Sequence, residues 1–301
     1  MHTAPEPRTD TDVRTPHGWW WKALIGGAAL WLVTAAVTYT TQNTNLVPTV
    51  ILLGSFLVPF CVVLFVVERA RGTLDTLWLF VAFFVGGIFG VLGASILESR
   101  LLEPSLWIYV GVGAIEELVK AVVFLAVGAR IVAKTGLKGA LLGAVVGAGF
   151  AAFESAGYAF NASLTRWGSI DLTALLETEA VRGLLTPVGH VLWTAILGAA
   201  IFRAASADRY RFTGGVLGAY GVVLALHALW DSMSFIAAYL AIRLTGGVHY
   251  ELAYGQMLPT AADNAGRIST ILYVVGLAVI SWVGITVLRR WARPLPVAPA
   301  A

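Results

Sequence analysis

The sequence predicts an all-α, polytopic membrane protein, a bundle of about eight transmembrane helices with both termini in the cytoplasm. Three observations carry that prediction. The 301 residues are 58% hydrophobic and 12% charged, with a mean hydropathy of +0.80, whereas soluble domains are about 25% charged. Nearly the whole chain divides into apolar segments of about 20 residues, the length that crosses roughly 30 Å of hydrocarbon. The basic residues, finally, concentrate on one set of alternate loops, as the positive-inside rule requires. No room remains for a soluble catalytic domain. The net charge of +3 belongs to short basic loops, so the bilayer, and no nucleic acid, is the anionic surface implied. The single cysteine, Cys61, lies in an apolar segment and excludes an intramolecular disulfide.

Residues 1–18, rich in Pro, Thr and charge, read as a disordered cytoplasmic tail. The apolar run after them is long enough to span and lacks a small-residue cleavage site, so it is a first helix and not a signal peptide. Trp19 to Trp21 and Lys22 form its interfacial anchor. The membrane domain covers residues 19–291, with spans at 20–41, 48–67, 76–97, 106–132, 137–161, 183–204, 213–242 and 268–288, and residues 292–301 form a Pro/Ala-rich cytoplasmic tail. With a cytoplasmic amino terminus, 14 Lys and Arg lie on the inner side and 5 on the outer, and Lys120 inside the membrane completes the 20. An even number of spans fits that asymmetry. Loops 162–182 and 243–267 are the longer outer connections. Glycines at four-residue spacing, Gly139, Gly143 and Gly147, and again Gly86 and Gly90, read as close helix-packing faces.

Four spans carry ionisable residues well inside their apolar runs. Such groups cost roughly 3 kcal/mol each on insertion scales and mark functional sites. The fourth span has Glu116, Glu117 and Lys120. Lys120 can meet either carboxylate at i, i+3 or i, i+4, while the adjacent glutamates point apart. The fifth has Phe153, Glu154 and Tyr158, with a phenol one turn from a carboxylate and able to hydrogen-bond it. His190 follows Pro187 and Gly189, a combination that opens the local backbone hydrogen bonding. His227 and Asp231 at i, i+4 form a pair in which the carboxylate can hold the imidazole's orientation. His2, His17 and His249 fall in tails or loops and read as solvated.

Depth connects these motifs. At about 1.5 Å of rise per residue, Glu116 lies about 15 Å and His190 about 10 Å from the outer side. Glu154 and His227 lie roughly 25 and 21 Å from the cytoplasmic side of a core about 30 Å thick. All four fall in the outer half, which predicts one polar cavity opening outward.

The series Glu116-Glu117-x-x-Lys120, Phe153-Glu154-x-x-x-Tyr158, His190 in Pro-x-Gly-His, and His227-x-x-x-Asp231 resembles the motif series of the PrsW intramembrane proteases. That family stands in a glutamate-type clan with the prenyl-protein (CAAX) endopeptidases and bacteriocin-processing enzymes. The motif core covers residues 106–242. The CAAX-type branch typically has an arginine one place later and a terminal asparagine, so Lys120 and Asp231 point to the PrsW side. The resemblance implies cleavage of a single-pass, membrane-anchored regulator such as an anti-sigma factor, on its extracytoplasmic side.

Peptide hydrolysis needs a nucleophile, a proton shuttle and stabilisation of the oxyanion. No Ser-Lys or Cys-His pair is signalled, so an activated water is the nucleophile expected. The catalytic set is then Glu116, Glu117, His190 and His227, with Lys120, Glu154, Tyr158 and Asp231 in support. Glu116 is assigned as general base by the resemblance, and the two glutamates could exchange roles. His190 would position the water, and His227, oriented by Asp231, would donate to the oxyanion or the leaving amine. No cofactor is expected. Zinc is the metal alternative, but the His-Glu-x-x-His pattern is absent. A proton-coupled transporter or ion pathway would use the same buried groups, although no internal duplication marks one. A catalytically inert membrane scaffold is a third reading.

Overall fold

Helix follows helix through the computed structural model, which describes residues 18–293 apart from 71, 106, 166–168, 207–208 and 247–258. The predicted tails before Gly18 and after Arg293, with His2, His17 and His249, lie outside the described residues, as do parts of both long outer loops. Among the described residues the helices are α1 Trp19–Thr41, α2 Val47–Arg69, α3 Thr76–Leu101, α4 Ile108–Gly128, α5 Gly136–Ser163, α6 Leu172–Leu185, α7 His190–Ala204, α8 Gly214–Leu244 and α9 Pro259–Ala292. Short 3₁₀ turns precede α2 and join α6 to α7. Asp75, Thr135, Asp171 and Thr213 stand one residue ahead of α3, α5, α6 and α8. Each side chain accepts a hydrogen bond from a first-turn backbone N–H, those of Trp78, Lys138, Ala174 and Val216. These caps satisfy donors that a helix start otherwise leaves bare.

Seven stretches among the described residues are long and apolar enough to cross a membrane. The 21-residue α4 completes the predicted eight, and its Glu116, Glu117 and Lys120 are what set it apart in composition. The chain is therefore a multi-pass membrane protein. The sixth span differs from its prediction. It runs from Leu172 to Ala204 over 33 residues, so most of the segment read as an outer loop is helix α6. The start was legible in Asp171, a cap ahead of Leu172, Leu175 and Leu176 at helical spacing. Between α6 and α7 the helix breaks over Thr186–Val188, where Pro187 brings no N–H and Gly189 departs from helical torsions.

α5 and α7 form the centre. α7 is buried from Val191 through Phe202, and α5 is buried along most of its length against α3, α2 and α7. The glycine faces perform the packing role expected of them. A Cβ on Gly139, Gly143 or Gly147 would run into the backbone carbonyl of Gly198, Thr194 or His190 on α7, and one on Gly86 or Gly90 would strike Val146 or Phe150. α1 and α9 lie outermost, presenting Ile25, Leu30, Leu32, Ile271, Val275 and Trp282 outward, as lipid-facing helices do.

Candidate active site

Charged and aromatic residues of α4, α5, α6, α7 and α8 meet inside the bundle. The i, i+3 spacing on α4 puts Lys120 Nζ 2.6 Å from Glu117 Oε1, and the i, i+4 spacing puts it 3.5 Å from Glu116 Oε2. The ammonium therefore favours one glutamate, as the helix geometry predicts. Lys120 and Glu117 are fully buried and Glu116 nearly so. Lys120 Nζ also lies 2.9 Å from His190 Nδ1 and 4.4 Å from the ring centroid of Phe150.

Hydrogen-bond chemistry assigns the imidazole protons. An ammonium only donates, so His190 Nδ1 accepts from Lys120 and the ring's proton is on Nε2. That nitrogen donates to Glu154 Oε2 over 2.9 Å. Ionised Glu117 only accepts, so the proton it receives over 2.9 Å comes from His227 Nδ1. The inward nitrogens, Nδ1 of His190 and Nε2 of His227, then lie 3.8 Å and 3.6 Å from Glu116 Oε2. Asp231 Oδ2 is 3.3 Å from His227 Nε2. Trp193 holds both rings in place, stacked on His227 with centroids 4.4 Å apart and edge-on to His190 at 5.1 Å.

All eight residues singled out from sequence lie in or beside this cluster, with two changes of partner. Glu154 is ion-paired with Arg182 of α6, and the Tyr158 ring covers the Arg182 guanidinium at 4.2 Å from its centroid. The expected phenol–carboxylate bond gives way to this arrangement because a guanidinium outcompetes a neutral hydroxyl for a carboxylate. His227 is oriented by Glu117, to which its Nδ1 donates, and not by Asp231, whose Oδ2 lies 3.3 Å from the unprotonated Nε2. Arg182, which also donates from Nε to Ser155 Oγ over 2.8 Å, was hidden by the reading of α6 as loop. Its place on the leucine-spaced helix that follows Asp171, just ahead of Pro187 and His190, was the available signal. Trp193, at i+3 from His190, could have been found by the same periodicity.

A cavity of about 160 Å³ reaches the cluster, with Glu116, Glu154, His190 and Asp231 in its wall beside Arg182, Trp230 and Tyr273. Glu116, His190 and His227 each turn one ligand atom toward the others, all within 4.8 Å. Ligands in tetrahedral zinc sites, about 2.1 Å from the ion, lie roughly 3.4 Å from each other, and the two imidazole nitrogens lie 3.8 and 3.6 Å from Glu116 Oε2. Each histidine, moreover, gives its outer N–H to a carboxylate, the second partner that metal-binding imidazoles characteristically have. The donor set fits a divalent cation. Charge agrees, since Glu116, Glu117, Glu154 and Asp231 against Lys120 and Arg182 leave a formal charge of −2 with neutral histidines. Lys120 borders the same space, so an ion and the ammonium compete for His190 Nδ1.

Fold and site together define a class, a multi-pass membrane protein with a buried Glu/His/His centre reached by a cavity. The profile described as PrsW family intramembrane metalloprotease matches residues 75–257, more than half of the chain and every residue of the site. The chain belongs to the PrsW family and is an intramembrane protease. That membership favours the hydrolase over the transporter considered from sequence. No curated protein and no solved structure matches the chain.

Proposed function

We propose that the chain is an endopeptidase that cleaves single-pass, membrane-anchored regulatory proteins, anti-sigma factors among them, near the extracytoplasmic face, and that Glu116, His190 and His227 hold a divalent cation such as zinc. The observation that carries the cation is the pair of outer hydrogen bonds, Glu154 to His190 Nε2 and Glu117 to His227 Nδ1, which turn the remaining nitrogens toward Glu116. The word metalloprotease in the family description supports the same reading, against the metal-free chemistry expected from sequence. When bound, such an ion supplies Lewis acidity and lowers the pKa of water toward neutrality.

The protein's own groups do the rest. Glu117 and Glu154 keep each imidazole in one tautomer and orientation. Lys120 balances Glu117, and Arg182 balances Glu154. Glu116 serves this reading as a ligand, and the general-base role passes to Asp231, whose side chain is 27% exposed and faces the cavity. Asp231 takes the proton of the attacking water and returns it to the leaving amine. Trp230, Tyr273 and Val181 on the cavity wall hold the substrate segment. The sidedness rests on the loop charges, which put this end of the bundle outside.

Purified protein in lipid, assayed on a single-pass substrate, tests the reading. One bound equivalent of metal by mass spectrometry, loss of cleavage on chelation and its return with zinc, and loss of both metal and cleavage in Glu116→Gln are expected. Full cleavage by metal-free protein would overturn the cation and restore Glu116 as the base.

A further inference from the structure

Hydrolysis of each peptide bond consumes one water, and this centre is walled by apolar helices. A substrate segment in the cavity that contains His190 and Asp231 closes that approach. A second cavity, of about 290 Å³, lies between α3, α4 and α5 and reaches the same cluster from the α3 side. Its wall includes Ser95, Glu98 and Asn161, which the first lacks, and the two cavities meet at Val112, Glu116, Glu154 and Tyr158. Glu98 and Asn161 stand in the last turns of α3 and α5, and Glu116 is eight residues inside α4, about 12 Å from that helix's start. The second cavity thus runs from the helix ends to the reacting centre.

Its chemistry suits water and not peptide. Carboxylates, Ser95, Asn161 and Tyr158 face it beside Phe150 and Phe153, and neither histidine nor any cationic side chain does, so a peptide carbonyl placed there would lie away from the imidazoles and the cations of the centre, with only neutral hydroxyl and amide donors near an oxyanion. Glu98 Oε1 is buried with no hydrogen-bond partner among the described residues. A buried polar atom left bare is unfavourable, and a water that bonds it removes that penalty. A water needs only about 15 Å³ and two to four polar partners. The volume, the bare carboxylate oxygen and Ser95 and Asn161 supply both.

We infer that the α3–α4–α5 cavity is a water inlet, separate from the substrate cavity, that feeds the hydrolytic water to Glu116 through Glu98. The inference rests on the hydrolytic reading above for its purpose, but the inlet's hydration is measurable without any substrate. Ser95→Cys in a Cys61→Ala background leaves one thiol, since Cys61 is the chain's single cysteine. In right-side-out vesicles a membrane-impermeant cationic methanethiosulfonate is expected to modify it, and an alkylating probe added after denaturation counts the thiols protected. No modification in folded protein would mean a dry or closed cavity and overturn the inlet, whatever the protein cleaves.

With substrate, modification is expected to lower kcat tenfold or more at unchanged KM, and dithiothreitol to restore it, which separates blockage from misfolding. Gly157→Leu is a second plug. Gly157 lines the cavity, and a Cβ there meets nothing within 4 Å, so the added bulk displaces no backbone. A raised KM at constant kcat would make the cavity a substrate subsite, and unchanged kinetics in both plugged forms would make it irrelevant; either result overturns the proposal.

Discussion

Lys120→Met and Glu117→Gln, singly and together, test whether the charge cluster is held as an interlocked unit. Lys120 is fully buried, and its ammonium has Glu117 at 2.6 Å, His190 at 2.9 Å and Glu116 at 3.5 Å. Met keeps the length of the stem and removes the charge. Glu117 is then left in the core with His227 alone, and its Oε2 already has no partner among the described residues. Breaking one side of a buried ion pair costs about 3–5 kcal/mol, whereas neutralising both sides is often close to neutral. Glu117→Gln is expected to cost less, about 1–3 kcal/mol, because Lys120 retains Glu116 and His190. The double variant should be more stable than Lys120→Met alone, with a coupling of at least about 2 kcal/mol where independent sites couple by less than about 0.5. Equilibrium unfolding in mixed micelles, followed by the fluorescence of the 11 tryptophans, measures all four corners of the cycle without a substrate. Additive penalties would refute the buried pair and, with it, the tautomer assignments built on Lys120 as donor.

Arg182→Gln is expected to lower kcat/KM and metal affinity together by about 10–100-fold, the usual effect of losing a partner behind a metal-binding imidazole. Arg182→Lys should recover part of both, since it keeps the charge toward Glu154 but loses the Nε bond to Ser155; unchanged metal affinity in Arg182→Gln would detach Arg182 from the site. Gly147→Ala places a Cβ against the His190 carbonyl and is expected to destabilise by about 1–3 kcal/mol through overpacking while weakening metal binding. Gly26→Ala, where a Cβ meets nothing within 4 Å, is the control and should be neutral or slightly stabilising, as for any Gly to Ala change inside a helix.

The transmembrane architecture was legible because apolar length is a one-dimensional signal, and the eight segments recur as helices. The site was legible for a related reason. An ionisable group inside an apolar run has few structural excuses, so Glu116, Lys120, Glu154, His190 and His227 announce themselves, and their common depth predicts that they meet. What stayed hidden is what such scanning discards. Leu172 to Leu185 contains Glu177, Glu179 and Arg182, which dilute its hydropathy to that of a loop although Asp171 and the leucine spacing mark a helix. Arg182 was lost with it. So was Glu179, buried between α1 and α2 and accepting from Trp31 Nε1 over 2.7 Å and Ser55 Oγ over 3.3 Å. The partner of each histidine nitrogen was equally beyond reach. Spacing on α8 offers His227 only Asp231, and the bond from Nδ1 to Glu117 of α4 exists only once two helices have packed.

The glycine faces and the charged cluster, separate features in the sequence, are joined in the fold. Gly139, Gly143 and Gly147 draw α7 against α5 until backbone meets backbone, and Gly147 does so at His190 itself. That approach brings His190 Nε2 to Glu154, which α5 carries two turns beyond Gly147. A larger residue at position 147 would move the imidazole away from the carboxylate that sets its tautomer. On the other side, Gly113 lies on α4 one turn before Glu117, where a Cβ would press on the Leu224 carbonyl and on His227. Small residues thus stand one or two turns from both carboxylate–imidazole pairs. In a membrane, where apolar side chains gain little by leaving lipid, close backbone contact is what holds helices in register, and here that contact positions the chemistry.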